Sequence, residues 1–87
     1  MASDRNYYAD QYPETPLLFM DPDIYDKAII GVIEGKAHEL AVAYDYDKVI
    51  DINVEDGMTH EEAVEYFNFN QIDAYMGKHT PVFINVN

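Results

Sequence analysis

The sequence predicts a small α+β fold in which a sheet of about three strands, antiparallel or mixed, packs with one face against about three helices. Short apolar or β-branched runs typical of strands occupy residues 17–20, 40–44 and 81–86, and two consecutive helix signals lie between the last two runs. A chain of 87 residues supports one hydrophobic core but not two. We therefore expect a single domain over residues 17–87.

The first 16 residues are polar and contain two prolines and three tyrosines, which predicts an extended N-terminal arm over residues 1–16. Terminal segments of this kind commonly fray. A second interpretation is that Tyr7, Tyr8 and Tyr12 anchor the arm, because tyrosine buries a large area at a small cost in side-chain entropy.

A first helix is predicted from Asp21 to Gly35. Asp21 suits the N-cap and Pro22 the first helical position, since proline lacks only an N–H that would have no partner there. Gly31 disfavours a helix by about 1 kcal/mol relative to alanine, and Gly35 ends it. Four apolar residues share one face at helical spacing: Ile24, Ala28, Ile29 and Val32.

A second helix is predicted over residues 46–55, between an N-cap at Asp45 and a stop at Asp56-Gly57. The same residues also fit a strand, because apolar and polar side chains alternate from Ile50 to Val54. We prefer the helix, since its stop leads directly into another helix start.

Thr59 begins the third predicted helix. Its hydroxyl and the Glu62 carboxylate form a capping box, in which each side chain accepts a hydrogen bond from the other residue's backbone N–H. Apolar residues at a period of about 3.6 continue the helix to Tyr75, and Gly77 ends it.

Four aromatic residues of this helix are more than one helix face can bury: Tyr66, Phe67, Phe69 and Tyr75. We predict that Phe67 and Tyr75 enter the core. Tyr66 and Phe69 would then form an exposed aromatic rim, of the kind found at protein interfaces. The alternative is that all four side chains pack in the core.

The chain has 17 acidic and 5 basic residues and a net charge of −12. Residues 45–65 hold eight acids and one lysine, so −7 of the −12 lies in this segment. Such a field repels nucleic acid and anionic membranes and attracts basic protein surfaces. We predict that a partner protein with a basic or nucleic-acid-binding surface contacts these acids and the aromatic rim. The predicted partner-binding residues are Asp45, Asp47, Asp51, Glu55, Asp56, Glu61, Glu62, Glu65, Tyr66 and Phe69.

No catalytic, metal or cofactor site is predicted. The sequence has no cysteine, and its three histidines lack the spacing of zinc ligands and are expected at the surface. Residues from Asp51 to Glu62 partly match a calcium loop, but the glycine, Gly57, lies one position late. Acidic pairs such as Asp45 and Asp47 are expected on solvated helix faces, so an enzyme is not predicted.

Membrane and export signals are not expected either. No apolar run approaches the roughly 20 residues that span a bilayer, and the N-terminus does not resemble a signal peptide. The absence of cysteine is compatible with a reducing compartment, and a cytoplasmic protein is predicted.

A longer pattern resembles a family of small phage-encoded proteins. It comprises Tyr44–Ile50, Asp56–Asn70, Ala74–Gly77 and Thr80–Phe83, within residues 22–84. The resemblance implies a phage or prophage source and the host-cell cytoplasm, and it indicates no catalytic residue.

Charge and resemblance together predict an accessory protein that inhibits a host defence protein, such as a CRISPR or restriction nuclease. Its carboxylates would take the place of nucleic-acid phosphates. Direct binding of nucleic acid is not expected. The alternative is a structural or self-assembling phage component, in which strand edges and the arm build a homodimer or a larger oligomer.

Overall fold

The computed structural model describes residues 5–35, 38–72 and 79–86, and within them the fold is α+β, as predicted. A three-stranded mixed sheet is combined with α-helices, a 3-10 helix and a π-helical turn. In chain order the elements are helix α1 (Arg5–Gln11), a 3-10 helix (Asp23–Ala28), strands β1 (Ile29–Glu34) and β2 (Leu40–Asp45), helices α2 (Tyr46–Glu55) and α3 (His60–Tyr66), a π-helical turn (Phe67–Gln71) and strand β3 (Val82–Ile84).

The sheet has the strand order β1-β2-β3, with β1 antiparallel and β3 parallel to the central strand. Tyr44 pairs with both Ile29 and Phe83, which places the three side chains on one face, because directly opposite residues share a face. The central strand is buried from Ala41 to Tyr44. This confirms the buried strand predicted over residues 40–44.

The hydrophobic core joins this face of the sheet to α2 and α3. Its buried members are Met20, Tyr25, Ala28, Ile29, Val42, Tyr44, Val49, Ile50, Ile52, Ala63 and Phe67. Each large side chain contributes about 1.5–3 kcal/mol when fully buried. Short helices such as α2 and α3 are marginal by themselves, so packing on this cluster is what stabilises them.

The helix predicted over residues 21–35 is wrong, because the chain forms the 3-10 helix followed by β1. Asp21 does not act as the N-cap; that position is taken by Pro22, which is extended with ψ −179°. From Ile29 onward, β-branched residues and pairing with β2 favour a strand. Gly31 lies at an irregularity in that pairing and not in a helix.

The strand predicted over residues 17–20 is also wrong. This run packs against the core without joining the sheet, and Met20 is buried. The Met20 N–H donates a 2.8 Å hydrogen bond to the Tyr44 hydroxyl instead of to a neighbouring strand. The terminal strand does form, but it is shorter than predicted.

The N-terminal arm is helical between Arg5 and Gln11, which corrects the prediction of an extended arm. Arg5 Nε lies 3.0 Å from each carboxylate oxygen of Asp26, and Arg5 also donates a 2.6 Å hydrogen bond to the Met20 carbonyl. The hydrogen bond to Asp26 raises the pKa of Arg5. Tyr8 packs against the core, so the arm is held by Arg5 together with one of its tyrosines.

The start and stop of α2 and the start of α3 confirm the predictions made for them. The Asp45 carboxylate accepts a hydrogen bond from the Lys48 N–H. Gly57 has φ +112°, a conformation that glycine adopts readily because it lacks a Cβ. The capping box is complete, with 2.9 Å from Thr59 N to Glu62 Oε1 and 3.1 Å from Glu62 N to Thr59 Oγ1.

Beyond α3 the helix continues as the π-helical turn, where the Ile72 N–H donates a 2.8 Å hydrogen bond to the Phe67 carbonyl. A π turn inserts one residue into the helical repeat and changes the direction of the side chains that follow. The predicted helix end, at Tyr75 and Gly77, lies outside the described residues.

Candidate protein-binding surface

Helices α2 and α3 carry the predicted acidic residues on their outer sides. A short turn joins the helices, and they run antiparallel, since Tyr46 at the start of α2 contacts Phe67 just after α3 with ring centroids 5.1 Å apart. Their apolar residues face the core and leave the acids outside. Asp45 and Asp47 are half-buried. The exposed acids are Asp51, Glu55, Asp56, Glu61, Glu62 and Glu65.

Two of the predicted binding residues, Asp51 and Glu55, lie beside lysines. Together with Lys27, Lys48 and Ile52 they line a groove of about 280 Å³. Lys27 Nζ is 3.7 Å from Glu55 Oε1. Two lysines and two carboxylates leave this mixed-charge groove without net charge. Sequence spacing misses the balance because Lys27 belongs to the 3-10 helix.

The remaining six acids are called the acidic surface below: Asp45, Asp47, Asp56, Glu61, Glu62 and Glu65. Two of them also cap helices, since Asp45 accepts from the Lys48 N–H and Glu62 from the Thr59 N–H. Glu61 and Glu65 are exposed and lie one helical turn, about 6 Å, apart. Neither forms an ion pair within the part of the chain that the structure describes.

The aromatic rim is exposed. Tyr66 is 40% and Phe69 84% exposed, whereas Phe67 is only 1% exposed. The structure therefore supports the first of the two interpretations of this aromatic row, except for Tyr75, which is outside the described residues. Tyr66 is the last residue of α3 and Phe69 lies in the π-helical turn that continues it, so the rim directly follows the α3 carboxylates along the chain.

A further groove, of about 300 Å³, is not predicted by the sequence. This aromatic groove is lined by Tyr46, Phe67, Asn68, Ile72, Phe83 and Asn85. Phe67 makes edge-to-face contacts with Tyr46 and Phe83, with ring centroids 5.1 and 4.8 Å apart. The lining combines α2, the π-helical turn and the region of β3, and the only sequence signal for it is the abundance of aromatic residues in these segments.

No group of three or more histidine, aspartate or glutamate side chains in the described residues is arranged to hold a metal ion. His38 and His60 are exposed, as predicted, whereas His79 is half-buried with Nδ1 2.7 Å from the Leu40 carbonyl oxygen. None of the described helices has the length and apolar character needed to cross a bilayer.

Comparison with known proteins gives no match to a family model, a curated protein or a solved structure. The resemblance to small phage-encoded proteins therefore stays a prediction. Function is inferred below from the acidic surface, the aromatic rim and the aromatic groove.

Proposed function

We propose that this chain is a phage accessory protein that inhibits a host defence protein, such as a CRISPR or restriction nuclease, by occupying a basic or nucleic-acid-binding surface. The observation that carries the proposal is the pairing of exposed carboxylates on α3 with the exposed rim residues Tyr66 and Phe69. A cytoplasmic location in the host cell follows from such a target.

The acidic surface supplies attraction over a distance. Glu61 and Glu65 are about 6 Å apart, which is within the Debye length of about 8 Å at physiological salt, so their fields add. One strand of DNA carries a phosphate about every 3.4 Å, so the carboxylates are sparser than phosphates. They therefore attract lysine and arginine without reproducing the geometry of a nucleic-acid backbone.

The aromatic rim supplies contact energy. Tyrosine and phenylalanine at the centre of an interface bury a large apolar area, and aromatic residues are enriched among those that dominate binding. Phe69, at 84% exposure, gains the most from being covered. A partner that combines cations with an apolar surface therefore fits this side of the molecule.

The proposal is tested by capture from a nuclease-treated bacterial host lysate, with two variants of equal charge. One variant neutralises Asp45, Asp47, Glu61 and Glu65 with Asn or Gln, and the control treats Asp10, Glu14, Asp23 and Glu39 in the same way. Four neutralised acids change the net charge from −12 to −8 in both proteins. We expect the parent and the control to capture a basic nucleic-acid-binding protein at low salt, and the first variant to lose it.

Two results would reject the proposal. One is the absence of any basic or nucleic-acid-binding protein from the material captured at low salt. The other is equal capture by the two variants, whether retained or lost in both. The acids of α2 and α3 would then contribute no more to binding than acids elsewhere on the surface.

A second candidate function, self-assembly, is favoured by the exposed edge of β1. This strand lies at one end of the sheet, and its residues Ile30 and Ile33 are 46% and 41% exposed. Unpaired edge strands with apolar side chains tend to pair with other chains. Light scattering at micromolar concentration tests it: an oligomer dispersed by Ile33→Lys supports assembly, and a monodisperse monomer excludes it.

A further inference from the structure

The aromatic groove is preorganised, because contacts within the chain hold its lining rings in place without a ligand. The buried Phe67 ring holds the rings of Tyr46 and Phe83 in edge-to-face contacts, and Ile72, at 38% exposure, adds apolar surface. A volume of about 300 Å³ lies at the lower limit of small-molecule pockets, which run from about 300 to 1,000 Å³. The groove therefore suits one large side chain of a partner better than it suits a cofactor.

Both helices that contribute to the groove carry carboxylates close in sequence to the lining residues. The residues on either side of Tyr46 are both aspartates, and none of the described lining residues is positively charged. Glu61 and Glu65 are exposed on α3, which leads directly into the π-helical turn, and the first two residues of that turn, Phe67 and Asn68, line the groove. At 1.5 Å per residue, Glu65 and Glu61 lie about 4.5 and 10.5 Å from Asn68 along the helix.

We propose that the aromatic groove receives one aromatic or aliphatic side chain from an extended segment of the partner, and that this segment carries lysine or arginine about three residues from the anchor. The inference rests on the proposed function and specifies the segment that the acidic surface binds. An extended chain advances about 3.3 Å per residue, so a cation three residues from the anchor reaches the level of Glu61. The exposed Asn68 amide offers a donor and an acceptor to the backbone of the segment.

The negative charge around the groove favours a basic peptide segment over a nucleic acid or a second copy of the chain. A nucleic acid would bring phosphates next to carboxylates and be repelled. A second copy of the chain carries −12 itself, and its most exposed aromatic residue, Phe69, follows an acidic helix face. A basic segment with a single apolar anchor complements both the groove and the carboxylates along it.

The test uses the full ¹⁵N-labelled chain and three short peptides in an NMR titration at low salt. The probe peptide has phenylalanine at its centre, lysine three residues to either side, and glycine or serine elsewhere. A second peptide replaces the phenylalanine with serine, and a third replaces both lysines with glutamate. We expect the probe to shift the amide signals of Asn68, Ile72 and Phe83. We expect the serine peptide to bind about tenfold more weakly, because it lacks the side chain to be buried, and the glutamate peptide not to bind.

A matched pair of variants locates the anchor. Asn68→Trp fills the mouth of the groove, whereas Asn70→Trp places the same side chain at an exposed position that does not line it. The first variant should bind the probe about as weakly as the parent binds the serine peptide, and the second should bind like the parent. Unchanged amide signals of β2 establish that each variant is folded, and the peptide comparison on the parent stands independently of both.

The outcomes separate the inference from the proposed function. Equal binding of the phenylalanine and serine peptides overturns the groove inference while the acidic surface keeps its role. Binding that is unaffected by the change from lysine to glutamate overturns the basic partner and, with it, both proposals. If the probe shifts no groove signal at millimolar concentration while the lysine-bearing serine peptide shifts those of α3, the inference alone is overturned.

Discussion

Single polar side chains connect elements that are far apart in the sequence. Asn53 of α2 is fully buried; its Oδ1 accepts a hydrogen bond from the Tyr25 hydroxyl, and its Nδ2 donates one of 2.9 Å to Gln71 Oε1. The 3-10 helix, α2 and the π-helical turn are thereby linked. A buried polar group left unpaired costs about 1–3 kcal/mol, so these bonds also fix which residues face inward. Sequence patterns do not identify Asn53, because asparagine is usually exposed.

Arg5 has the same role at the N-terminus, and its replacement tests it. Arg5→Ala removes the side-chain bonds to Asp26 and to the Met20 carbonyl, and keeps the bond from the backbone N–H of residue 5 to Asp26. Hydrogen bonds to charged groups contribute about 1.5–3 kcal/mol, and Arg5 is partly exposed, so we expect the free energy of unfolding to fall by about 1–2 kcal/mol. Arg5→Lys keeps the charge but lacks the planar guanidinium, so its free energy of unfolding should lie between those of Arg5→Ala and the parent. Urea unfolding measures both, and equal stability of the three proteins would contradict the prediction.

Element boundaries are predictable where neighbouring residues determine them. The two limits of α2 and the start of α3 follow from an aspartate N-cap, a glycine at positive φ and a capping box, all of which act within a few residues. The limits of β1 depend instead on pairing with β2, and helical spacing around Ile29 predicts the wrong element. Residues 17–20 show that an apolar run alone does not predict a strand. Their side chains pack in the core, but their backbone does not pair with the sheet.

The capping box gives the test at this scale. Thr59→Ala removes the acceptor of the Glu62 N–H and should lower the free energy of unfolding by about 1 kcal/mol. For a chain of this size that corresponds to a melting temperature lower by about 4–8 °C. Thr15→Ala, outside the helices, serves as the control and should change it little. Equal melting temperatures for Thr59→Ala and the parent would show that the cap does not stabilise α3.

Some features of the candidate site depend on contacts between segments that are far apart in the sequence, and helix periodicity does not predict these contacts. Periodicity predicts that the acids of α2 and α3 face outward, and the structure agrees except at the start of α2, where Asp45 and Asp47 are half-buried. It does not predict that Lys27 neutralises part of α2, nor that Phe83 completes a groove beside Phe67, because both contacts arise from chain segments brought together by the sheet. The net charge of −12 is likewise a property of the entire surface, and its self-repulsion opposes the compact state.

The four-acid variant separates this global effect from local ones. Neutralising Asp45, Asp47, Glu61 and Glu65 relieves self-repulsion, which stabilises the fold. It also removes negative charge from the first turns of α2 and α3, where each carboxylate contributes about 0.3–1 kcal/mol through the helix dipole. Asn at position 45 still caps α2, so no helix start is lost. The two effects oppose each other, and we expect a free energy of unfolding within about 1 kcal/mol of the parent.

Thermal melting by circular dichroism measures this difference beside the control variant with Asp10, Glu14, Asp23 and Glu39 neutralised. The control relieves the same global repulsion but leaves α2 and α3 unchanged, so it should equal the parent or exceed it slightly. If the first variant is less stable than the control by the dipole contributions alone, the fold does not depend on its acids, and a loss of capture by that variant reports a missing contact with the partner. A loss of stability above about 3 kcal/mol would exceed what the helix dipole and exposed charges supply, and would show that the acids stabilise the fold. A loss of capture by that variant would then reflect unfolding and not a missing contact.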